Sequence, residues 1–169
     1  MESLTILPTI DEVWNWLSEV PDPEIPVISV VDLGIVREVN WHDEELVVKI
    51  TPTYSGCPAT SVIAHDIEQA LRERGIESLR LETQLSPPWT TDWLTEAGRA
   101  KLRNYGITPP GRKVADGVVP IRFQRQEPVE CPHCGSTRTS RVSQFGSTPC
   151  KALYRCQDCL EPFDYFKCL

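Results

Sequence analysis

The chain has 169 residues, 40% hydrophobic, 24% charged and 8% aromatic, which leaves room for one medium domain and a small appendage but not for two full-sized enzyme domains. The net charge of −7 is uneven: through Ile107 there are 8 basic and 18 acidic residues, and from Thr108 onward 9 basic and 6 acidic, so the acidic front half is a poor match for a nucleic-acid backbone. No apolar run reaches bilayer-spanning length and no basic segment precedes a uniform apolar core at the N-terminus, so a cytoplasmic protein without a membrane partner is predicted.

Thr9 with Glu12 three residues later is a capping-box signature, and Ile10, Val13, Trp14, Leu17 and Val20 follow at helical spacing. A helix is predicted from about Thr9 to Val20. It must end at Pro21-Asp22-Pro23-Glu24-Ile25-Pro26, where three prolines remove backbone donors and hold an extended loop. Ile35 to Trp41 and Leu46 to Thr51 are rich in β-branched residues and flank the acidic turn at His42-Asp43-Glu44-Glu45, which predicts a β-hairpin. Pro58 then opens an amphipathic helix with Val62, Ile63, Ile67, Ala70 and Leu71 on one face, closed by Gly75, and a third strand is predicted near Ser78 to Gln84. A helix from Thr91 to about Tyr105, stopped by Gly106, completes the first part. The residues from Gly111 to Glu130 have no clear period and read as a linker, with short strand-like runs beyond it at Thr139 to Phe145, Ala152 to Arg155 and Phe163 to Phe166. The predicted fold is α+β: a small three- or four-stranded sheet packed with helices over residues 1–110, a linker over 111–130, and a C-terminal module over 131–169 whose two Cys-x-x-Cys steps mark a zinc ribbon.

Seven cysteines would suggest disulfides in a secreted chain, but the number is odd and six fall after residue 130. Cys131-Pro132-His133-Cys134-Gly135 and Cys156-Gln157-Asp158-Cys159 form two Cys-x-x-Cys steps 21 residues apart, a zinc-ribbon spacing. Two thiolates separated by two residues reach one tetrahedral ion from a single tight turn, and Gly135 gives that turn a permissive backbone. Four thiolates close the coordination shell, so Cys131, Cys134, Cys156 and Cys159 are expected to hold a structural zinc rather than a catalytic one; tetrahedral sulfur also suits a rubredoxin-like iron or a cluster. Cys150 and Cys168 are either spare ligands or small buried hydrophobes, and His133 either a competing nitrogen ligand or a surface residue.

Thr51-Pro52-Thr53-Tyr54-Ser55-Gly56-Cys57-Pro58 leads from strand to helix and is expected to place Cys57 at the helix N-cap, where the dipole favours a thiolate. The chemistry alone leaves a functional thiol and an inert one equally open. Asp22 and Glu24, stiffened by the prolines, are either a solvated acidic loop or, if the fold brings them beside Cys57, oxygen donors in a mixed site suited to transient iron. His42 and His65 have no spacing partners. The helical Glu-x-x-His pairs that hold a di-iron centre, phosphate loops, nucleotide fingerprints and Ser/His/Asp sets are absent, which speaks against a catalyst acting alone.

Asp22-Pro23-Glu24-Ile25-Pro26, Asp32-Leu33-Gly34-Ile35-Val36, Thr51-Pro52-Thr53, Gly56-Cys57-Pro58 and Pro88-Trp89-Thr90 together resemble the metal–sulfur cluster assembly domain family, which includes SufT-like proteins, over about Ile10 to Pro110. That resemblance implies a compact α+β domain whose reactive cysteine falls on Cys57. The tail, with Cys131-Pro132-His133-Cys134-Gly135-Ser136, Phe145-Gly146-Ser147-Thr148, Cys150-Lys151-Ala152-Leu153-Tyr154-Arg155-Cys156 and Glu161-Pro162-Phe163, resembles the PaaD-like family of phenylacetate degradation. What this implies is a non-catalytic accessory or maturation role in the bacterial phenylacetyl-CoA ring 1,2-epoxidase system. Its partners would be the iron-containing oxygenase or the iron–sulfur reductase, with structural zinc and transient iron or Fe–S as the metals. The alternatives are a zinc-ribbon adaptor that binds protein, or less readily nucleic acid, without transferring metal, and a thiol enzyme built on Cys57. The packing faces would serve a homodimer equally well.

Overall fold

The computed structural model describes residues 7–54, 56–111 and 128–167. Most of the predicted linker, together with Ser55 and Cys168, lies outside them. The chain divides into two compact units, residues 1–89 with 93–98 and residues 90–92 with 99–169.

The first unit begins with α1 (Ile10–Leu17), whose capping box is present: the Thr9 hydroxyl accepts from Glu12 N, and the Glu12 carboxylate accepts from Thr9 N at 2.8 Å. Strands β1 (Val36–His42) and β2 (Glu45–Ile50) form the expected antiparallel hairpin, with Asp43 at φ 54° in its tight turn. The chain then crosses through α2 (Thr60–Arg72) to β3 (Leu79–Thr83), which lies parallel to β2, so the sheet order is β1-β2-β3. Helix α1 packs on α2 and β1. The core gathers Val13 and Leu17 of α1, Ile25 and Ile28 of the proline loop, Leu46, Val48 and Ile50 of β2, and Ile63, Ile67 and Leu71 of α2, all at most 3% exposed.

The predicted Thr91 to Tyr105 helix is broken in two: a 3-10 turn over Thr91–Trp93 and α3 (Glu96–Asn104). Thr95 makes the break, because its hydroxyl accepts from Gly98 N at 2.9 Å, its N–H donates to Asp32 O at 2.9 Å, and its hydroxyl also donates to Asp32 Oδ1 at 3.1 Å. Trp93 is thereby set against Gly34, where φ is +68° and an added Cβ would stand 2.5 Å from Trp93 O. The Arg37 guanidinium lies 3.5 Å from the Trp93 ring centroid, and Trp89 Nε1 donates to Leu33 O at 2.9 Å.

The second unit is a four-stranded sheet in the order β4-β7-β6-β5, from β4 (Ile107–Thr108), β5 (Thr139–Ser143), β6 (Lys151–Cys156) and β7 (Pro162–Phe166). β4 pairs parallel to β7; the other two pairings are antiparallel. Its core is small: Cys131, Ala152, Tyr154, Cys156 and Phe163, with the Tyr154 ring 5.9 Å from Phe163 and 5.5 Å from Tyr165 between centroids. So little apolar burial calls for a further constraint, and the cysteines offer one.

Candidate metal centre and the Cys57 loop

The two Cys-x-x-Cys turns converge. The sulfurs of Cys131, Cys134, Cys156 and Cys159 all lie within 4.8 Å of one another, with 3.7 Å between Cys131 and Cys159 and 3.6 Å between Cys134 and Cys156. A tetrahedral ion with metal–sulfur bonds of about 2.3 Å requires sulfur separations of about 3.8 Å, so the donor set fits one ion. Each turn closes through a left-handed residue after its second cysteine. Gly135 (φ 74°) does this in the first, its N–H donating to Cys131 O at 2.9 Å, and Leu160 (φ 66°) does it in the second.

Without a metal the thiols of Cys134, Cys156 and Cys159 are in conflict. Backbone N–H groups of Cys159 and then Asp158 hold Cys156 down to about 6, outweighing burial. The Glu161 N–H acts in the same sense on Cys159, but burial and the thiols of Cys134, Cys156 and Cys131 prevail and push it up to about 12. Cys134 is raised as well: the Ser136 N–H favours its thiolate, but burial and the Cys156 and Cys131 thiols outweigh it. A divalent cation resolves the conflict by stabilising all four thiolates together. His133 is exposed and stands outside the cluster, as does buried Cys150, whose sulfur is 3.0 Å from Thr148 Oγ1.

Cys57 is half-buried in the connection from β2 to α2. It is not the N-cap. The helix starts at Thr60 with Ala59 as N-cap, because Pro58 and Ala59 form a turn in which Thr60 N donates to the Cys57 carbonyl at 3.2 Å. The Cys57 N–H donates to Tyr54 O at 3.1 Å, making a second tight turn. At the root of this connection Thr51 is pinned by its N–H to Ile35 O at 2.8 Å and is 1% exposed, yet its hydroxyl has no hydrogen-bond partner among the described residues.

Asp22 is buried, and its Oδ1 accepts from Glu24 N at 2.9 Å and Ile25 N at 2.8 Å, an Asx-type turn that holds the proline loop; half-buried Glu24 lies within that turn. Asp32 similarly accepts from Ser29 N at 3.2 Å while its own N–H donates to Ser29 Oγ at 3.0 Å. Among the described residues, the four tail cysteines are the group whose donor atoms converge; Asp22, Glu24 and Cys57 form no such group. The orphaned Thr51 hydroxyl and the Arg37–Trp93 stack carry no sequence signal, since each is created by tertiary packing.

Residues 10–77 match the family described as iron-sulfur cluster assembly protein, and residues 115–167 match the PaaD zinc beta ribbon domain. Over 162 residues, 96% of this chain and 94% of the relative, the sequence is 48% identical to a putative 1,2-phenylacetyl-CoA epoxidase subunit of Escherichia coli K12. The chain belongs to the PaaD family. Its first part is also 31% identical, over 57% of this chain and 92% of the relative, to an Fe-S protein maturation auxiliary factor of Porphyromonas gingivalis. The crystal structure of a DUF59 domain from Bacillus anthracis overlays with a TM-score of 0.50 at 24% identity, covering 54% of this chain and 89% of that one, a likeness of fold alone. A PaaD-family chain thus joins an assembly-type α+β unit to a ribbon. Among its described residues no helix is long and apolar enough to cross a membrane.

Proposed function

We propose that this PaaD-family chain is an accessory component of a phenylacetyl-CoA 1,2-epoxidase system that assists insertion of iron or an iron–sulfur unit into the oxygenase or reductase. The observation that carries this reading is the near-full-length likeness to an epoxidase subunit in a chain whose first part matches iron–sulfur assembly proteins. The two thiol sites divide the work. Cys131, Cys134, Cys156 and Cys159 hold a zinc that braces the ribbon, and with four sulfurs converging on one point no coordination position is left for exchange. Cys57 is a single half-buried thiol on a loop, suited to transient contact with cargo. Asp22 and Glu24 are the oxygen donors this reading would recruit from the proline loop, with Asp22 also holding the loop in shape.

The test is to produce the epoxidase subunits together with wild-type or Cys57→Ser chain under anaerobic conditions and measure iron in each of them. Cys57→Ser should keep its own zinc and lower the iron of one client severalfold. Full iron loading of every client beside Cys57→Ser would refute cargo handling. Because no group of three or more donors includes Cys57 among the described residues, that result would favour the adaptor reading, in which the ribbon docks a client without transferring metal.

A further inference from the structure

We infer that the groove between α1 and α2 is a docking site for a basic segment of a partner protein. The groove encloses about 340 Å³ and its floor is apolar, made by Trp16, Val20, Pro21 and Ala70. Its rim carries the carboxylates of Glu19, Asp66 and Glu73 and a single cation, Arg74. That cation is already committed: Arg74 pairs with Glu19, donates from Nη1 to Ala70 O at 3.1 Å, and lies 5.7 Å from the Trp16 ring centroid.

Two carboxylates are left uncompensated. Glu73 accepts only from the Gln69 side-chain amide, at 2.9 Å, and half-buried Asp66 has no cation beside it among the described residues. Uncompensated charge in a concave, apolar-floored groove concentrates negative potential there. The occupant that satisfies both features is a lysine or arginine whose aliphatic stem lies on Trp16, Val20 and Ala70 while its head group reaches Asp66 and Glu73. The groove is more open than enclosed, whereas small-molecule sites typically enclose about 70–90% of their ligand, which favours an occupant that brings its own surface, a protein segment. The rigid Pro21 lip, bridged to Ser29, presents the site at the start of the loop that carries Asp22 and Glu24. Docking here is independent of the role proposed for Cys57.

The test titrates isotope-labelled full-length chain with the blocked pentapeptide Ala-Lys-Leu-Arg-Ala and follows backbone and indole resonances. Expected are shifts confined to Trp16, Glu19 and the Asp66 to Arg74 turns of α2, with affinity falling about tenfold or more in Asp66→Lys and in Glu73→Lys, as for loss and reversal of a close charge contact. The acidic counterpart Ala-Glu-Leu-Glu-Ala should give none. Absence of shifts at millimolar basic peptide, or wild-type affinity in both variants, overturns the proposal. Spermidine producing the same shifts at equal or higher affinity also overturns it, in favour of a small polyamine.

Discussion

Replacing Thr51 with valine should stabilise the first unit, because the native residue buries a hydroxyl that none of the described residues satisfies. Thr51 is 1% exposed and its Oγ1 has no hydrogen-bond partner among the described residues, while its backbone N–H is engaged by Ile35 O. Valine keeps the β-branched shape and exchanges the hydroxyl for a methyl. An unsatisfied buried polar group costs about 1–3 kcal/mol, and removing it should return a gain of that order. All five tryptophans, at positions 14, 16, 41, 89 and 93, belong to the first unit, so fluorescence-detected urea unfolding reports on that unit without signal from the ribbon. For a unit of this size the gain corresponds to a rise in midpoint of about 4–8 °C per kcal/mol in a thermal scan. Thr51→Ser, which keeps the hydroxyl and loses the methyl, should move the other way by roughly 1 kcal/mol. A Thr51→Val variant less stable than wild type would refute the reasoning, since it would show that the hydroxyl finds a partner in solution.

Two further outcomes follow from the geometry. Gly34→Ala should destabilise the first unit by about 2–5 kcal/mol, combining roughly 1–2 kcal/mol for a left-handed alanine with 1–3 kcal/mol for overpacking against Trp93 O, and an unchanged urea midpoint would contradict it. Prolonged chelation, or Cys134→Ser, should strip the metal and expose the tail to protease, as expected when metal binding supplies the folding energy of a small core; a retained zinc stoichiometry with undiminished protease resistance would overturn that account.

Features written in local chemistry were legible in the sequence. The Thr9 and Glu12 capping box, the hairpin turn at Asp43 and the convergence of the two Cys-x-x-Cys steps all depend on residues a few positions apart or on one metal's geometry. Features decided by distant partners were not. The helix expected through Thr91 is cut because the Thr95 side chain serves α3 and Asp32 together. The two-residue β4 exists only because β7 lies alongside it, and no period can announce so short a strand. Cys57 was expected two positions too close to the helix, because Pro58 is as well suited to a turn as to a first helical position.

The second Cys-x-x-Cys turn shows how far the ribbon's geometry overrides local preference. Both turns need a left-handed residue directly after their second cysteine; the first uses Gly135, and the second imposes the same conformation on Leu160, at φ 66°. A left-handed leucine costs about 1–2 kcal/mol, and this one is 59% exposed, so burial of its side chain offsets little of that cost. The compensation must come from what the turn does: its backbone N–H groups from Asp158, Cys159 and Glu161 are aimed at the sulfurs of Cys156 and Cys159. Those contacts favour thiolate over thiol, and a bound cation that keeps Cys156 and Cys159 both ionised makes them count at both sulfurs at once, so the strain at Leu160 is best sustained in the metal-loaded ribbon.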